Sequence, residues 1–196
     1  MSKVINKGAV PERHVRLLVG ATGSVDIIHL PEYLRHIKTR MSCEISVLMT
    51  QTATQFLSPD VVALCADRVI AGERTADWPS DKPSRLVADH DVLVVLPATA
   101  HTLASIAGGA APNRLTTVVL AATFPVILFP VMGAAMWKKA AVMRNVQQIK
   151  TDGYVVAEPV WRQNFDFSLG QNVEHPSLPT PEDVALLIMK CAAVTA

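Results

Sequence analysis

The feature that most constrains the fold is the apolar run Val92–Leu96, which contains no polar residue. A strand with one face in solvent alternates apolar and polar side chains, whereas a strand buried on both faces does not. The run therefore predicts a central strand of a parallel sheet that helices cover on both sides. Pro97 follows it, and because proline offers no N–H to a neighbouring strand, we expect the strand to end there.

The residues after this strand are small or carry hydroxyl groups, and they lead into an apolar helix predicted at Leu103–Ala107. The first N–H groups of a helix lack intrahelical partners and, together with the helix dipole, favour an anion. This corner is thus a candidate anion site, although an ordinary strand-to-helix connection could have the same composition. The residues concerned are Ala98, Thr99, Ala100 and Thr102.

Two further corners have a similar composition. Gly20–Ser24 follows the predicted strand Val15–Val19, and Thr50–Thr54 follows the predicted strand Ile45–Met49. Glycine allows a tight turn close to a ligand, and Ser24 can cap the next helix while donating to a phosphate. The first corner is neither a complete GxGxxG nor a Walker loop, so a plain glycine turn with a serine cap is the alternative.

The three corners together predict one shared site. In an open parallel sheet, the carboxyl ends of the strands lie at one edge, and ligands bind there. Three hydroxyl-bearing corners at that edge favour a bound phosphate or nucleotide. The alternation of strands and helices predicts an α/β fold, a three-layer Rossmann-like (flavodoxin-like) parallel sheet with helices on both faces.

Composition limits the remaining possibilities. The length of 196 residues predicts one domain over residues 14–196, after a flexible polar leader at 1–13. A net charge of +1 gives no reason to expect nucleic-acid binding. Cys43, Cys65 and Cys191 form neither a CxxC motif nor an even set, and the leader has no apolar segment. We therefore expect a cytoplasmic protein with reduced thiols and no signal peptide.

One uncharged stretch, between Arg114 and Lys138, is long enough to cross a bilayer. Pro125 and Pro130 divide it into shorter pieces. We predict a helix, a buried strand and a second helix there rather than a membrane span, which is the alternative.

The segment Glu158–Leu178 has little regular pattern and contains the aromatic residues Trp161, Phe165 and Phe167. A loop of this length in a compact domain is usually a binding lid or a disordered segment. The aromatic residues favour a substrate lid around 158–178. Helices are predicted on either side of it, over Ala134–Lys150 and from the N-cap Thr180 onward.

Five short motifs follow one another along the chain: Gly20–Val25, Phe56–Pro59, Pro97–Thr102, Asn113–Thr117 and Phe129–Trp137. In this order they resemble motifs of the homo-oligomeric flavin-containing cysteine decarboxylases. These include a Gly-x-Ser phosphate turn, a Pro-Ala-Ser-Ala-Asn-Thr box and a Pro-x-Met-Asn-x-x-Met-Trp box. The family includes phosphopantothenoylcysteine decarboxylases and the peptidyl-cysteine decarboxylases of lantibiotic, linaridin and thioamitide pathways.

The resemblance implies FMN as cofactor and a cysteine-terminated precursor peptide as substrate. It also implies a homotrimer or a dodecamer, with the flavin between subunits. Met132 and Gly133 are implied to face the substrate carboxylate, under a lid near Ser168–Asn172. By position, the implied cofactor-binding residues are Gly23, Ser24, Thr50, Thr52, Phe56, Pro97, Ala98, Thr99, Ala100, His101 and Thr102.

The reaction that the resemblance implies is an oxidative decarboxylation. Oxidation of a C-terminal cysteine removes a hydride from Cβ and gives a thioaldehyde, whose sulfur accepts the electrons released as CO₂ leaves. The product is an enethiol, as in aminovinyl-cysteine biosynthesis. Phosphopantothenoylcysteine decarboxylases carry a lid cysteine that helps to reduce the enethiol, and Glu158–Leu178 contains none. This difference favours the peptide branch.

The chain departs from the family pattern at three positions. The family's catalytic histidine lies fourteen residues before the box proline, and 97 − 14 falls on Pro83. Gly133 replaces the asparagine of one box, and His101 replaces the asparagine of the other. His101 is a candidate catalytic base, the alternatives being a helix cap or a hydrogen bond to the cofactor. His90 could also be a base, but we interpret it as a surface histidine at a helix end.

Several functions follow from these residues. The first hypothesis is an FMN-dependent cysteine decarboxylase acting on a ribosomal precursor peptide. The departures at Pro83 and Gly133 motivate a second, a non-catalytic FMN-binding subunit of a hetero-oligomer. A phosphopantothenoylcysteine decarboxylase and a flavin prenyltransferase relative are further alternatives. No histidine spacing typical of a metal site occurs, so we expect no metal.

Overall fold

The computed structural model describes residues 14–72, 78–166 and 169–193. The predicted leader at 1–13 lies outside these ranges, as do Phe167 and Ser168 of the predicted lid. The strands are β1 (Val15–Ala21), β2 (Cys43–Met49), β3 (Arg68–Ala71), β4 (Val92–Ala98), β5 (Val126–Pro130), β6 (Val155–Val156), β7 (Val160–Asp166) and β8 (Gln171–Ser177). The α-helices are α1 (Leu30–Arg40), α2 (Ala53–Phe56), α3 (Pro59–Ala63), α4 (Trp78–Asp81), α5 (Pro83–Ala88), α6 (Ala100–Ala107), α7 (Arg114–Ala121), α8 (Ala134–Trp137), α9 (Ala140–Thr151) and α10 (Pro181–Ala193). A 3-10 helix at Val25–His29 precedes α1.

Six strands form one parallel sheet in the order β3-β2-β1-β4-β5-β6. This confirms the predicted Rossmann-like sheet and narrows it to the Rossmann order, since the flavodoxin order runs 2-1-3-4-5. From β1 the chain proceeds outward to β2 and β3, and it returns to the other side of β1 as β4. At such a reversal the loops after the two strands diverge and leave a crevice at their carboxyl ends.

Side chains of the central strands alternate between two hydrophobic cores. Leu17 and Val94 belong to the core that includes α1 and α10. Leu18 and Leu93 belong to the core that includes α6, α7 and α9. All seven residues of β4 are buried. The apolar run at the centre of the sequence is therefore a strand covered on both faces, as predicted.

The predicted end of β4 at Pro97 was wrong by one residue. The strand continues to Ala98, which pairs with Pro130 after a register shift beyond Val95. The Val131 N–H then donates to the Ala98 carbonyl at 3.0 Å. Proline lacks only the N–H, and the carbonyl of the next residue can still accept a hydrogen bond from β5's side.

Two other elements differ from the prediction. The helix predicted over Ala134–Lys150 is divided into α8 and α9, because Lys139 has an extended backbone and serves as the N-cap of α9. The edge strand β3 was not predicted. It has only four residues, one of them Arg68, and three are only half-buried, so it lacks the apolar run that marks the inner strands.

The segment predicted as an irregular lid is largely a β-hairpin. Strands β7 and β8 pair in antiparallel register from Val160 opposite Ser177 to Asp166 opposite Gln171. At the base of the hairpin, Lys138 Nζ lies 5.4 Å from the centroid of the Trp161 ring. This cation–π contact ties the hairpin to the end of α8. The strands escaped prediction because their polar side chains give no apolar alternation.

No helix in the described part of the chain is long and apolar enough to span a membrane. The uncharged stretch between Arg114 and Lys138 contains α7, β5 and α8. This is the predicted order of helix, strand and helix.

Candidate active site

A cleft of about 500 Å³ opens at the carboxyl edge of the sheet, where the strand order reverses. This volume lies within the range of small-molecule binding sites. The loops after β1, β2, β4 and β5 all contribute to the cleft, so the three predicted corners do meet at one edge. The lining residues are Thr22, Gly23, Ser24, Thr50, Gln51, Thr52, Thr99, Ala100, His101, Thr102, Asn113, Val131, Met132 and Met136.

The corner after β1 is fixed to the corner after β4 by Thr22, which is 2% exposed. Its Oγ1 donates to the Pro97 carbonyl at 2.8 Å and accepts from the Thr99 N–H at 3.2 Å. A buried hydroxyl that both donates and accepts a hydrogen bond fixes the two loops that it joins. Thr22 therefore sets the spacing of the two corners on either side of the crevice.

Gly23 allows the corner after β1 to approach the corner after β2. A Cβ at Gly23 would lie 2.3 Å from Thr52 Cγ2 and 2.7 Å from Thr52 Cβ. Next to it, the Ser24 side chain accepts from the Asp26 N–H and caps the 3-10 helix. The Thr50 Oγ1 similarly accepts from the Ala53 N–H at 3.3 Å, at the start of α2. Hydroxyls of two adjacent corners thus face one narrow part of the cleft.

The corner after β4 begins α6 with a threonine cap. The Thr99 Oγ1 accepts from the Thr102 N–H at 3.3 Å and lies 3.0 Å from the Thr102 Oγ1. His101 lies in this first turn and is exposed to the cleft. Its backbone carbonyl accepts from the Ser105 Oγ at 3.0 Å. The cap of α6 is therefore Thr99, and the His101 side chain is not needed for it.

The far side of the cleft includes residues that were not predicted as lining. Asn113 forms a capping box with Thr116 at the start of α7. Val131 and Met136 lie after β5 and in α8. Both Asn113 and Met136 lie in motifs that resemble those of the decarboxylase family, at Asn113–Thr117 and Phe129–Trp137, and this was the signal that could have identified them.

Not all of the predicted site residues line the cleft. Pro97 and Ala98 form the buried end of β4 beneath it. Phe56 is 49% exposed and lies outside the lining. Gly133 is the N-cap of α8, next to the lining residue Met132, and a Cβ there would meet nothing within 4 Å. The other predicted positions, Gly23, Ser24, Thr50, Thr52, Thr99, Ala100, His101, Thr102 and Met132, do line the cleft.

His90 lies at the opposite, amino edge of the sheet. It follows α5, as predicted, but the interpretation as a surface residue was wrong because it is only 6% exposed. Its Nδ1 lies 2.7 Å from the Leu86 carbonyl. Burial lowers the pKa of this imidazole, since the charged form loses its hydration. His90 cannot act in the cleft.

The polarity of the cleft fits a flavin mononucleotide. Neutral hydroxyls and helix N-termini gather on the β1 and β2 side, and no carboxylate lines the cleft among the described residues. Such groups suit a phosphate. On the β5 side, Val131, Met132 and Met136 offer apolar surface for a ring system. No group of three His, Cys, Asp or Glu side chains in the described ranges could hold a metal ion.

A sequence model of the Flavoprotein family matches residues 6–189. The chain belongs to the flavoprotein family. Mersacidin decarboxylase of Bacillus sp. (strain HIL-Y85/54728) is 33% identical over 175 residues, which is 89% of each chain.

Two solved structures extend this likeness to the fold. An EpiD variant in complex with the substrate peptide DSYTC has a TM-score of 0.81 and 27% identity, over 90% of this chain and 99% of that chain. SpaF, an FMN-dependent cysteine decarboxylase, has a TM-score of 0.75 and 34% identity, over 91% of this chain and 97% of that chain. This flavoprotein thus shares nearly its whole fold with enzymes that act on cysteine.

Proposed function

We propose that this flavoprotein catalyses the FMN-dependent oxidative decarboxylation of the C-terminal cysteine of a ribosomal precursor peptide, which yields an enethiol. The proposal rests on the cleft at the carboxyl edge where the strand order reverses, because hydroxyl-rich corners meet an apolar wall there. The similarity to mersacidin decarboxylase and to SpaF supports both the cofactor and the reaction.

The chain's own residues would hold FMN along the cleft. Gly23, Ser24, Thr50 and Thr52 would bind the phosphate, because the hydroxyls of the last three converge on the β1 and β2 side beside Gly23. The backbone N–H groups of Ser24 and Thr50 already donate to the Thr22 and Ala21 carbonyls. The corner at Pro97–Thr102 would support the flavin ring. Bound FMN supplies a two-electron acceptor for the cysteine side chain. Phe56 would contact the cofactor from outside the cleft lining.

The substrate would enter from the β5 side of the cleft. Met132 and Gly133 would face the peptide carboxylate, and the hairpin β7–β8 would cover the peptide as a lid. The open space around Gly133 leaves room for a bulky peptide end. The peptide branch is favoured over a phosphopantothenoylcysteine substrate because Glu158–Leu178 contains no cysteine to reduce the enethiol.

An exposed apolar patch supports a homotrimer or a dodecamer as the working assembly. Val25, Ile28 and Phe56 are 63%, 54% and 49% exposed. They lie on the 3-10 helix and α2, two elements in mutual contact beside the phosphate corners. Large apolar side chains exposed together indicate a protein interface. A second copy on this patch would bring Phe56 between subunits, next to the cofactor.

The test is a reaction of the purified protein with FMN and the peptide DSYTC in air. We expect flavin absorption bands in the protein and loss of CO₂ plus two hydrogens from the peptide by mass spectrometry. The serine-terminated peptide DSYTS is the matched control and should not change. A protein that stays colourless in excess FMN, or unchanged masses for a panel of cysteine-terminated peptides, would contradict the proposal.

A non-catalytic FMN-binding subunit is the second candidate, because Pro83 cannot exchange a proton and Gly133 has no side chain for a carboxylate. The same experiment distinguishes it. Such a subunit would show the flavin bands but would leave every peptide unchanged until a second, related chain was added.

A further inference from the structure

We infer that His101 is the general base of the cleft and that it removes the thiol proton of the peptide's C-terminal cysteine. This inference rests on the proposed function and names the residue that performs its proton transfer. It follows from which groups line the cleft, from the exposure and hydrogen bonding of the His101 ring, and from where the charged side chains around α6 lie.

The cleft offers one candidate for this task. Of its described lining residues, His101 alone has a side chain of a type that commonly serves as a general base. The others are hydroxyl, amide, thioether and aliphatic side chains or glycine, which exchange protons poorly at neutral pH. Oxidation of a thiol at Cβ requires loss of the S–H proton, so a base must reach the sulfur.

The ring of His101 is available for a ligand. Thr99 already caps α6, so the histidine is not occupied as a helix cap. The side chain is exposed at the cleft, and no hydrogen bond to another described residue engages its ring nitrogens. His90 provides the contrast, because its Nδ1 is engaged by the Leu86 carbonyl and its ring is buried.

Among the described residues, the charged side chains on the helices around α6 do not line the cleft, whereas His101 does. The helices packed against α6 are α7 and α9, which carry Arg114, Arg144 and Lys150. None of these three lines the cleft, and neither does Lys138, which lies over the Trp161 ring. Substitution of His101 should therefore remove the proposed base without altering another ionisable side chain among the described residues that line the cleft.

The step balances with His101 as base and then as acid. The thiol proton would pass to a ring nitrogen of His101, and a C=S bond would form as Cβ loses a hydride, for which bound FMN would supply the two-electron acceptor. The Cα–carboxylate bond then breaks, its electron pair forms the Cα=Cβ bond, and the C=S pair moves to sulfur as CO₂ leaves. The imidazolium returns its proton to the sulfur, giving the enethiol and neutral His101.

The kinetic test compares wild type with His101→Asn and His101→Gln on the peptide DSYTC. We expect kcat/KM to fall about 10²- to 10⁴-fold, the usual contribution of general acid–base catalysis. The decline of wild-type activity at acid pH should disappear in both variants. Rates are expressed per bound flavin, because His101 belongs to the corner that would support the flavin ring, and circular dichroism checks that the fold is intact. His14→Asn, at the opposite edge of the sheet, is the control and should keep the wild-type rate and pH profile.

A measurement that needs no turnover tests the contact itself. In the dithionite-reduced holoprotein, the peptide can bind without being oxidised, and the His101 ring can be followed by NMR with labelled histidine. DSYTC should shift the titration of this ring, and DSYTS should shift it far less.

The outcomes distinguish a failure of the proposed function from a failure of the role assigned to His101. If wild type leaves DSYTC and other cysteine-terminated peptides unchanged, the proposed function fails, and the role of His101 fails with it. If wild type reacts and the variants keep its rate and pH profile, the assignment of His101 alone is overturned. A His101 ring signal that does not move at saturating peptide would also overturn it.

Discussion

The two edges of the parallel sheet use polar residues in opposite ways. At the carboxyl edge, the cleft is lined by neutral hydroxyls and contains one exposed histidine, His101. At the amino edge, a pocket of about 280 Å³ is lined mostly by charged residues, with His90 buried at its side. There, Arg16 pairs with Asp91 and Arg68 pairs with Asp81. At the carboxyl edge the hydroxyls line a ligand-sized cleft, whereas at the amino edge charged pairs join β1 to the segment before β4 and β3 to α4.

This difference has a structural cause. Parallel strands lead into helix N-termini at their carboxyl ends, where backbone N–H groups lack partners and can bind an anion. The amino ends of the strands follow helix C-termini, and charged side chains there can neutralise one another across the sheet. Substitutions at the carboxyl edge should therefore change ligand binding, and substitutions at the amino edge should change stability.

The largest effect is expected for Gly23→Val in the cleft. The added side chain would overlap Thr52, because even a Cβ lies 2.3 Å from its Cγ2. Overpacking of this kind costs about 1–3 kcal/mol and is relieved only if the corners after β1 and β2 move apart. Because both corners line the cleft, FMN affinity should fall, by roughly 100-fold if most of this cost appears in binding, measured by quenching of flavin fluorescence. Gly108→Ala, where a Cβ would lie 3.4 Å from the nearest atom, is the control. An unchanged FMN affinity for Gly23→Val would contradict the proposed phosphate site at the corners after β1 and β2.

A smaller effect, confined to folding, is expected for Asp91→Asn at the amino edge. The Asp91 carboxylate accepts from the Arg16 backbone N–H at 2.9 Å and from its guanidinium at 2.7 Å. This hydrogen bond raises the pKa of Arg16 above its ordinary value. We expect the free energy of unfolding in urea to fall by about 1–2 kcal/mol, reduced by the solvent exposure of Arg16, with FMN affinity unchanged.

A matched control for this charge pair is Arg85→Ala, which breaks an exposed i,i+4 pair with Asp89. Exposed pairs of this type contribute about 0.5 kcal/mol or less. If Asp91→Asn changed the free energy of FMN binding more than the free energy of unfolding, the amino edge would not be a purely stabilising region.

The smallest effect is a change in pH dependence on replacing His90 with asparagine. Burial lowers the pKa of His90 in the folded protein, whereas the unfolded imidazole titrates near pH 6.5. Below about pH 6.5 the unfolded state therefore binds more protons than the folded state, and stability falls as the pH falls. The contribution of neutral, buried His90 to the free energy of unfolding is complete above about pH 6.5 and is lost as the pH falls toward its lowered pKa in the folded protein.

Urea unfolding at pH 7 and pH 5 measures this contribution. His90→Asn can still donate to the Leu86 carbonyl but carries no titrating group, so it should lose less stability on acidification than wild type. For one proton, the difference in slope is at most about 1.4 kcal/mol per pH unit. The exposed His29 offers the control His29→Asn, which should keep the wild-type slope. Equal slopes for wild type and His90→Asn would show that His90 does not titrate on unfolding.

Local patterns in the sequence determined the central elements of the fold. The run Val92–Leu96 predicts a strand buried on both faces, because burial removes the need for polar alternation. The Thr180 N-cap predicts the start of α10, and its Oγ1 accepts from the Asp183 N–H at 3.2 Å as such a cap should. The corners at Gly20–Ser24 and Thr50–Thr54 could be expected to meet because parallel strands direct their ends to one edge. Each of these signals lies within a few consecutive residues.

Tertiary structure decided what depends on residues far apart in the chain. The pairing of β7 with β8 joins Val160 to Ser177, and the polar side chains of the hairpin do not show this in sequence. Met136 becomes part of the cleft because α8 lies beside the place where the strand order reverses. His90 and His101 lie at opposite ends of β4, and the fold buries His90 but leaves His101 exposed at the cleft. Burial and long-range pairing, which no short segment contains, set these properties.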